Sequence, residues 1–444
     1  MTPHRPLSLS LLSLALGAAL SAPAHAQSLL ELVESARTYD TTWQSARAQL
    51  DAASRRADLA RAGLLPSAAL TAGLSRANVE LSRPPVENTG TTQTVGVQAS
   101  QPLYRPANRI TLEQGQRGID VAQAQLDAAT QDLLVRVSQA YFDVLAAQDT
   151  LAFVQAQKAA VSEQLASAKR NFEVGTTTVT DSREAQARYD LVVAQEIAAE
   201  NDLRVKRLAL DQLVGITGTK PQPLALPVQL PTVQPDNVTT WVDTARDQQP
   251  GVRQAAIALD IARLETKKAE TGHLPTLDLQ VGYNVTRNPN GTITAPGVNN
   301  RTNSASVGVA FNLPLFAGFA VQNRVKETLA LEEKASADLE TTRRNVAQAT
   351  RAAFFGVQSG QGQVQALEAA EASSQSALDA NKLGYQVGVR INIDVLNAQS
   401  QLFQTKRDLA QARYNVLLSS LRLRQASGAL LPEDLLPIDA LLVK

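Results

Sequence analysis

The chain is written twice. Tyr141-Phe142, Val174-Gly175, Asp181, Gln186 and Gly215 return as Phe354-Phe355, Val387-Gly388, Asp394, Gln399 and Gly428, each pair 213 positions apart. A repeat of this length must be settled before any fold is read, because the chain then has to build two like units. Each copy also carries two short alternating segments among long helical ones, so the duplication indicates which pieces pair.

The first residues read as a secretory leader over 1–26: Arg5 in a short basic start, an apolar run over 7–20, and Ala24-His25-Ala26 as an A-x-A cleavage site. That run is too short for a membrane helix, and no later stretch approaches the roughly 20 apolar residues one needs. With no cysteine in the chain, a disulfide framework and a lipid-modified cysteine are both excluded. Basic and acidic residues are balanced at 42 each, so no field recruits nucleic acid. His273 is the one histidine beyond the leader, and a zinc site would want three or four clustered ligands, so no metal or cofactor is expected. Nucleophile elbows and phosphate loops are missing too, which argues against an enzyme.

Apolar positions from Leu133 through Val137, Ala140, Val144, Ala147, Leu151, Val154, Val161, Leu165 and Ala168 to Phe172 step by four and three, with Lys158 the single polar member. This is a heptad seam. A proline-free helix over 107–172 would be on the order of 100 Å long. The second copy repeats the seam from Val346 to Tyr385 in more polar form, with Glu371 at the place of Lys158. After each Val-Gly step a second helix continues the seam, from Ala185 to Leu213 and from Ala398 to Ala426, so each copy ends in a helical hairpin. Further helices are expected over 28–64 and 237–272. The divisions are a leader 1–26, a first repeat 27–219, a linker 220–236 holding five prolines, a second repeat 237–428 and a tail 429–444.

Leu277, Leu279, Val281, Tyr283 and Val285 interleave with Asp278, Gln280, Gly282, Asn284 and Thr286, a period of two. Val307, Val309, Phe311 and Leu313 repeat it. In the first copy Ala68, Leu70, Ala72, Leu74 and then Val95, Val97 and Ala99 do likewise. Turn-rich stretches over 82–92 and 288–300 separate the strands of each pair, predicting two hairpins of strands about 10 to 14 residues long, enough for a tilted membrane strand. Two readings stay open at this point. The strands cap a soluble coiled-coil bundle, or they form a membrane barrel with Asp278, Gln280, Asn284 and Thr286 facing a wet lumen. A four-stranded open sheet would strand its edge amides in lipid, so the barrel reading demands several chains.

With the leader, the duplicated units, Phe172-Glu173-Val174-Gly175 leading to Thr180-Asp181, and Tyr385-Gln386-Val387-Gly388 leading to Asp394-Val395-Leu396, the chain resembles the TolC family of outer-membrane efflux and type I secretion channels. The resemblance covers essentially everything after the leader. It implies a mostly α fold with a small β portion, in which a long coiled-coil helical barrel continues into an outer-membrane β-barrel. Four strands per chain become twelve in a homotrimer, embedded in outer-membrane lipid with the helices in the periplasm. It also implies a periplasmic adaptor and an inner-membrane ABC exporter or proton-driven pump as partners. Thr180, Asp181, Tyr385 and Arg390 match latch positions, and Asp394 matches an acidic ring that Asn397 leaves without its second member. Val174, Gly175, Val387 and Gly388 are the implied adaptor-contact tip. The local chemistry reads differently: Asp181 with Glu184 three residues on suggests a helix cap, and Asp394 near a helix start gains from the helix dipole.

Overall fold

The computed structural model describes residues 27–82, 85–225, 227–228, 230–292 and 295–443, so the leader expected over 1–26 lies outside the described residues. Helices α1 (Leu29–Tyr39) and α2 (Thr41–Ala62) lead to strands β1 (Ser67–Ser82) and β2 (Pro85–Tyr104). Then come the 68-residue α3 (Pro106–Glu173) and the 36-residue α4 (Val179–Val214). The second half repeats the order: α5 (Val238–Gln248), α6 (Pro250–Glu270), β3 (Thr276–Asn288), a two-residue pair β4 (Gly291–Thr292) and β5 (Ala295–Pro296), β6 (Asn300–Asn312), the 67-residue α7 (Ala320–Gln386) and the 36-residue α8 (Asn392–Ser427). A one-turn helix α9 (Leu436–Asp439) closes the chain. Among the described residues no helix is long and apolar enough to cross a membrane.

Two sequence expectations need correction. The helices expected over 28–64 and 237–272 are each broken in two. Asp40 ends α1 in an extended conformation and accepts a hydrogen bond from the Trp43 amide at 2.7 Å. Gln249 is extended because Pro250 follows, and a residue before proline avoids the helical region. Secondly, the stretch over 82–92 is mostly strand. The β1–β2 ladder runs unbroken from Ser67↔Ser100 to Ser82↔Pro85, which gives strands of 16 and 20 residues against 13 for β3 and for β6. Its threonines suit a pleated backbone, and Pro85 stands at the first position of its strand, where no ladder amide is lost. The proline-rich linker is docked at several points along its length on the helices of its own unit. The Tyr141 hydroxyl donates to the Gln222 carbonyl at 2.9 Å, Gln361 donates to the Pro231 carbonyl at 3.1 Å, and Val233 packs with buried Trp241, Phe354, Val357 and Leu423.

The chain divides into two compact units. One holds Ser45–Ala128 and Pro250–Asn345, with all four long strands in a single antiparallel sheet of order β1-β2-β3-β6. Its register aligns rows of like character. Leu70–Val97–Tyr283–Ala305 and Ala68–Ala99–Val281–Val307 run across one face. Thr71–Gly96–Asn284–Ser304 and Gly73–Thr94–Thr286–Thr302 run across the other. The apolar face is bare: Leu70 is 73% exposed and Val307 76%.

The other unit holds the chain up to Gln44, Ala129–Gln249 and Val346–Lys444. Here the core lies along the helix seams, with Val137, Val144, Val154, Val161, Leu210 and Leu421 all buried. Lys158 and Glu371 do not meet each other. Lys158 pairs with Glu196 across its own hairpin at 2.5 Å, and Glu371 lies 3.9 Å from Lys406 in the other hairpin. The repeated Gly215 and Gly428 acquire a physical reason. Each ends its helix in the left-handed region, at φ 73° and 76°, and a Cβ would strike the Tyr39 ring at 2.5 Å or the Gln249 backbone at 2.4 Å.

Candidate functional site

Each helical hairpin turns over the residues 174–178 or 387–391, and the two turns are built alike. At the end of α3 the Gly175 amide donates to the Phe172 carbonyl at 3.0 Å and the Thr176 amide to the Asn171 carbonyl at 2.9 Å. At the end of α7 the Gly388 amide donates to Tyr385 at 3.1 Å and the Val389 amide to Gly384 at 2.9 Å. Gly175 and Gly388 sit at φ 76° and 82°, a conformation that costs glycine nothing and other residues a steric penalty. Val174 (72%) and Val387 (65%) are exposed, as are Val389 and Ile391. Each turn thus ends in exposed apolar groups.

The helix starts that follow differ. At α4, Thr178 is the N-cap: its hydroxyl accepts from the Asp181 amide at 3.3 Å and the Asp181 carboxylate accepts from the Thr178 amide at 3.2 Å. Asp181 therefore caps with Thr178, and Glu184 has no part in it. Thr180 is exposed in the first turn. At α8 the residue 213 positions on from Thr178 is Ile391, which offers no side-chain cap. Asp394 is left in the first turn, where the dipole favours its charge, and its carboxylate lies 3.7 Å from the Arg390 guanidinium.

Between the hairpins, Leu396 of α8 packs with Val161, Leu165, Ala168, Ala185 and Val192 of the first copy. Polar contacts flank that joint. Asn171 donates to the Tyr385 hydroxyl at 3.3 Å, Gln164 bonds to buried Asn392, and Arg188 donates to the Asn397 side-chain amide oxygen at 2.7 Å. Arg188 and Arg407 face a groove of about 400 Å³ that Gln157, Gln195, Gln401 and Gln404 also line. Among the described residues both arginines bond only to amide oxygens there. Burial pulls the Arg407 guanidinium below its ordinary value, with Asp408 offsetting part of the fall. Among the described residues no hydrogen bond or ion pair joins Thr180 or Asp181 to Tyr385 or Arg390 within one chain. Sequence reasoning misses Asn171 and Arg188, and the capping role of Thr178. The T-x-x-D spacing signals Thr178, whereas the other two act across more than 200 positions with no local mark.

On the sheet, alternation puts Asp278, Gln280, Asn284 and Thr286 on the polar face. The Asn284 amide fills the space over Gly96, where a Cβ would stand 1.7 Å from its oxygen. Asp278, at the helical end of β3, is buried and held by Arg105 through two bonds of 2.8 and 2.6 Å. Its charge is therefore committed to a fork-shaped pair.

The family model for outer membrane efflux proteins matches residues 32–216 and 241–429. The chain belongs to this family. It is 35% identical over 429 residues to the outer membrane protein TolC of Vibrio cholerae, with 96% of each chain covered. The Escherichia coli TolC is 32% identical over 434 residues, covering 96% of this chain and 87% of that one. Among solved structures, the Campylobacter jejuni CmeC outer membrane channel superposes with a TM-score of 0.78 at 17% identity, over 93% of this chain and 89% of that one. As a member of this efflux-protein family the chain is an outer-membrane channel protein, with its sheet contributing to the barrel and its helices on the periplasmic side. The family is one of transport proteins, not of enzymes.

Proposed function

We infer that three copies assemble into one conduit, each adding its four strands to a twelve-stranded barrel and its two helical hairpins to a periplasmic tunnel. The sheet carries this reading. It has a continuous apolar face, a polar face, and two edges, β1 and β6, with no further partner strand among the described residues. In lipid such edges must be paired, and twelve strands leave room for an aqueous passage. Cargo passes without chemistry, handed over by an inner-membrane ABC exporter or proton-driven pump through a periplasmic adaptor. The exposed Val174, Gly175, Val387 and Gly388 turns are the adaptor's contact.

The gate lies at the hairpin ends. Asp394 contributes one carboxylate per chain to a ring on the threefold axis, while Tyr385, Arg390, Thr180 and Asp181 latch to a neighbouring copy. The test is heat-resistant trimers in the outer-membrane fraction together with single-channel recordings. The reading expects cation-preferring pores of low conductance that Tyr385→Phe with Arg390→Ser widens. Solubility without detergent would instead fit a secreted trimeric coiled-coil protein without a pore.

A further inference from the structure

The apolar face of the sheet ends abruptly. Outward positions on β3 run Leu277, Leu279, Val281, Tyr283 and Val285, about 27 Å along the strand, and tilt reduces that to a height near the ~25 Å apolar band of outer-membrane barrels. The next outward position is Arg287, and its register partner on β6 is Arg301. The row reads Leu74–Gln93–Arg287–Arg301, at the end of β3 and β6 remote from the helices. Like charges directly opposite on one face repel. Both residues are exposed, and no carboxylate lies within ion-pair reach of either among the described residues; Arg301 only donates to the Asn303 side chain at 3.3 Å. Further outward charges on β1 are Arg76, one row beyond, and Glu80, two rows beyond that, which is too far to neutralise the pair.

The geometry points to Arg287 and Arg301 as a binding site for the phosphate of a lipid headgroup in the outer leaflet. Two guanidinium forks at adjacent positions present parallel N–H donors to one phosphate, and an anion between them turns the repulsion into attraction. The pair stands one register step past the lipid-facing band, on the side away from the periplasmic helices, which is the depth of outer-leaflet headgroups. The site rests on the barrel orientation given above, and it occurs once per chain.

Native mass spectrometry of the detergent-purified trimer measures it, with bis-phosphorylated lipid A, dephosphorylated lipid A and inorganic phosphate as probes. The wild-type trimer should retain the phosphorylated lipid. R287Q/R301Q should bind it at least about tenfold more weakly, R287K/R301K should fall between, and all variants should remain heat-resistant trimers because both side chains are exposed. Equal retention by R287Q/R301Q, or of the dephosphorylated lipid, overturns the site. Competition by inorganic phosphate at the lipid's own concentration overturns the lipid assignment. A wild-type chain that forms no trimer fails the channel reading itself, a result separate from a trimer that binds lipid without preference.

Discussion

The amide oxygen of Asn397 receives the Arg188 guanidinium at 2.7 Å, and that contact decides how much charge the position can carry. An Asn397→Asp substitution would place a second carboxylate one turn after Asp394, yet Arg188 would neutralise it at once. Asn397→Asp alone should therefore raise cation preference only slightly, whereas adding Arg188→Gln should raise it clearly and increase block by multivalent cations. Reversal potentials across a planar bilayer check this; a full effect from Asn397→Asp alone would remove Arg188 from the account. Acid tolerance turns on another carboxylate. Although burial pushes Asp40 up, bonds from Arg136 and from the Trp43 and Thr42 amides hold it below its ordinary value of 3.8. The folded chain then binds fewer protons than the unfolded one near that pH, so the stabilisation is present above the unfolded value and lost as pH falls through the lowered one. Melting temperature should drop on acidification below about pH 4, and Asp40→Asn should flatten that limb while lowering stability at neutral pH. Residue types at the tip were visible in the sequence, but their partners were not. Asn171 with Tyr385 and Arg188 with Asn397 depend on how two distant hairpins pack, and no periodicity encodes a pairing between them.

Helices and strands were far more legible, because hydrophobic periodicity is local and the duplication doubles it. The expected 107–172 helix differs by one residue at each end from α3, and α4 and α8 begin 213 positions apart at equal length. What failed was punctuation. The α1–α2 break depends on Asp40 reaching Arg136, 96 positions away, and the long β1–β2 ladder overrode a stretch rich in turn residues. The seam charges teach the same lesson, since equivalent positions in two copies need not meet. Lys158→Glu should weaken the first hairpin, and Glu196→Lys in the same chain should restore it, while Glu371→Lys should not; thermal melting by circular dichroism at 222 nm distinguishes the two. The turns supply a second test at this scale. Around Gly175 and Gly388 there is open space, so a side chain would meet strain and no clash. Gly175→Val should cost about 1–2 kcal/mol and Gly175→Asn distinctly less, because asparagine tolerates the left-handed region. Comparable losses for both variants in urea titrations would contradict the conformational explanation.

For the whole molecule, the decisive contrast lies between two neighbours in β3. Tyr283 stands in the row Leu70–Val97–Tyr283–Ala305 and Asn284 in the row Thr71–Gly96–Asn284–Ser304, so consecutive residues lie on opposite faces, and the proposed barrel turns the first to lipid and the second to the lumen. Tyr283→Arg puts a charge near the middle of the apolar band, at a cost of about 2–4 kcal/mol per chain. That cost is paid three times in a trimer, enough to deplete heat-resistant trimers from the outer-membrane fraction. Asn284→Arg puts the same side chain in the lumen, where water solvates it; trimers should form normally, and the pore should shift toward anions in single-channel recordings. A soluble cap of the helices, with its apolar face packed on another copy's, predicts no such selectivity change and no dependence on lipid. Should Asn284→Arg abolish trimers while Tyr283→Arg leaves them intact, the two faces are reversed, and the Arg287–Arg301 pair would then point into the passage.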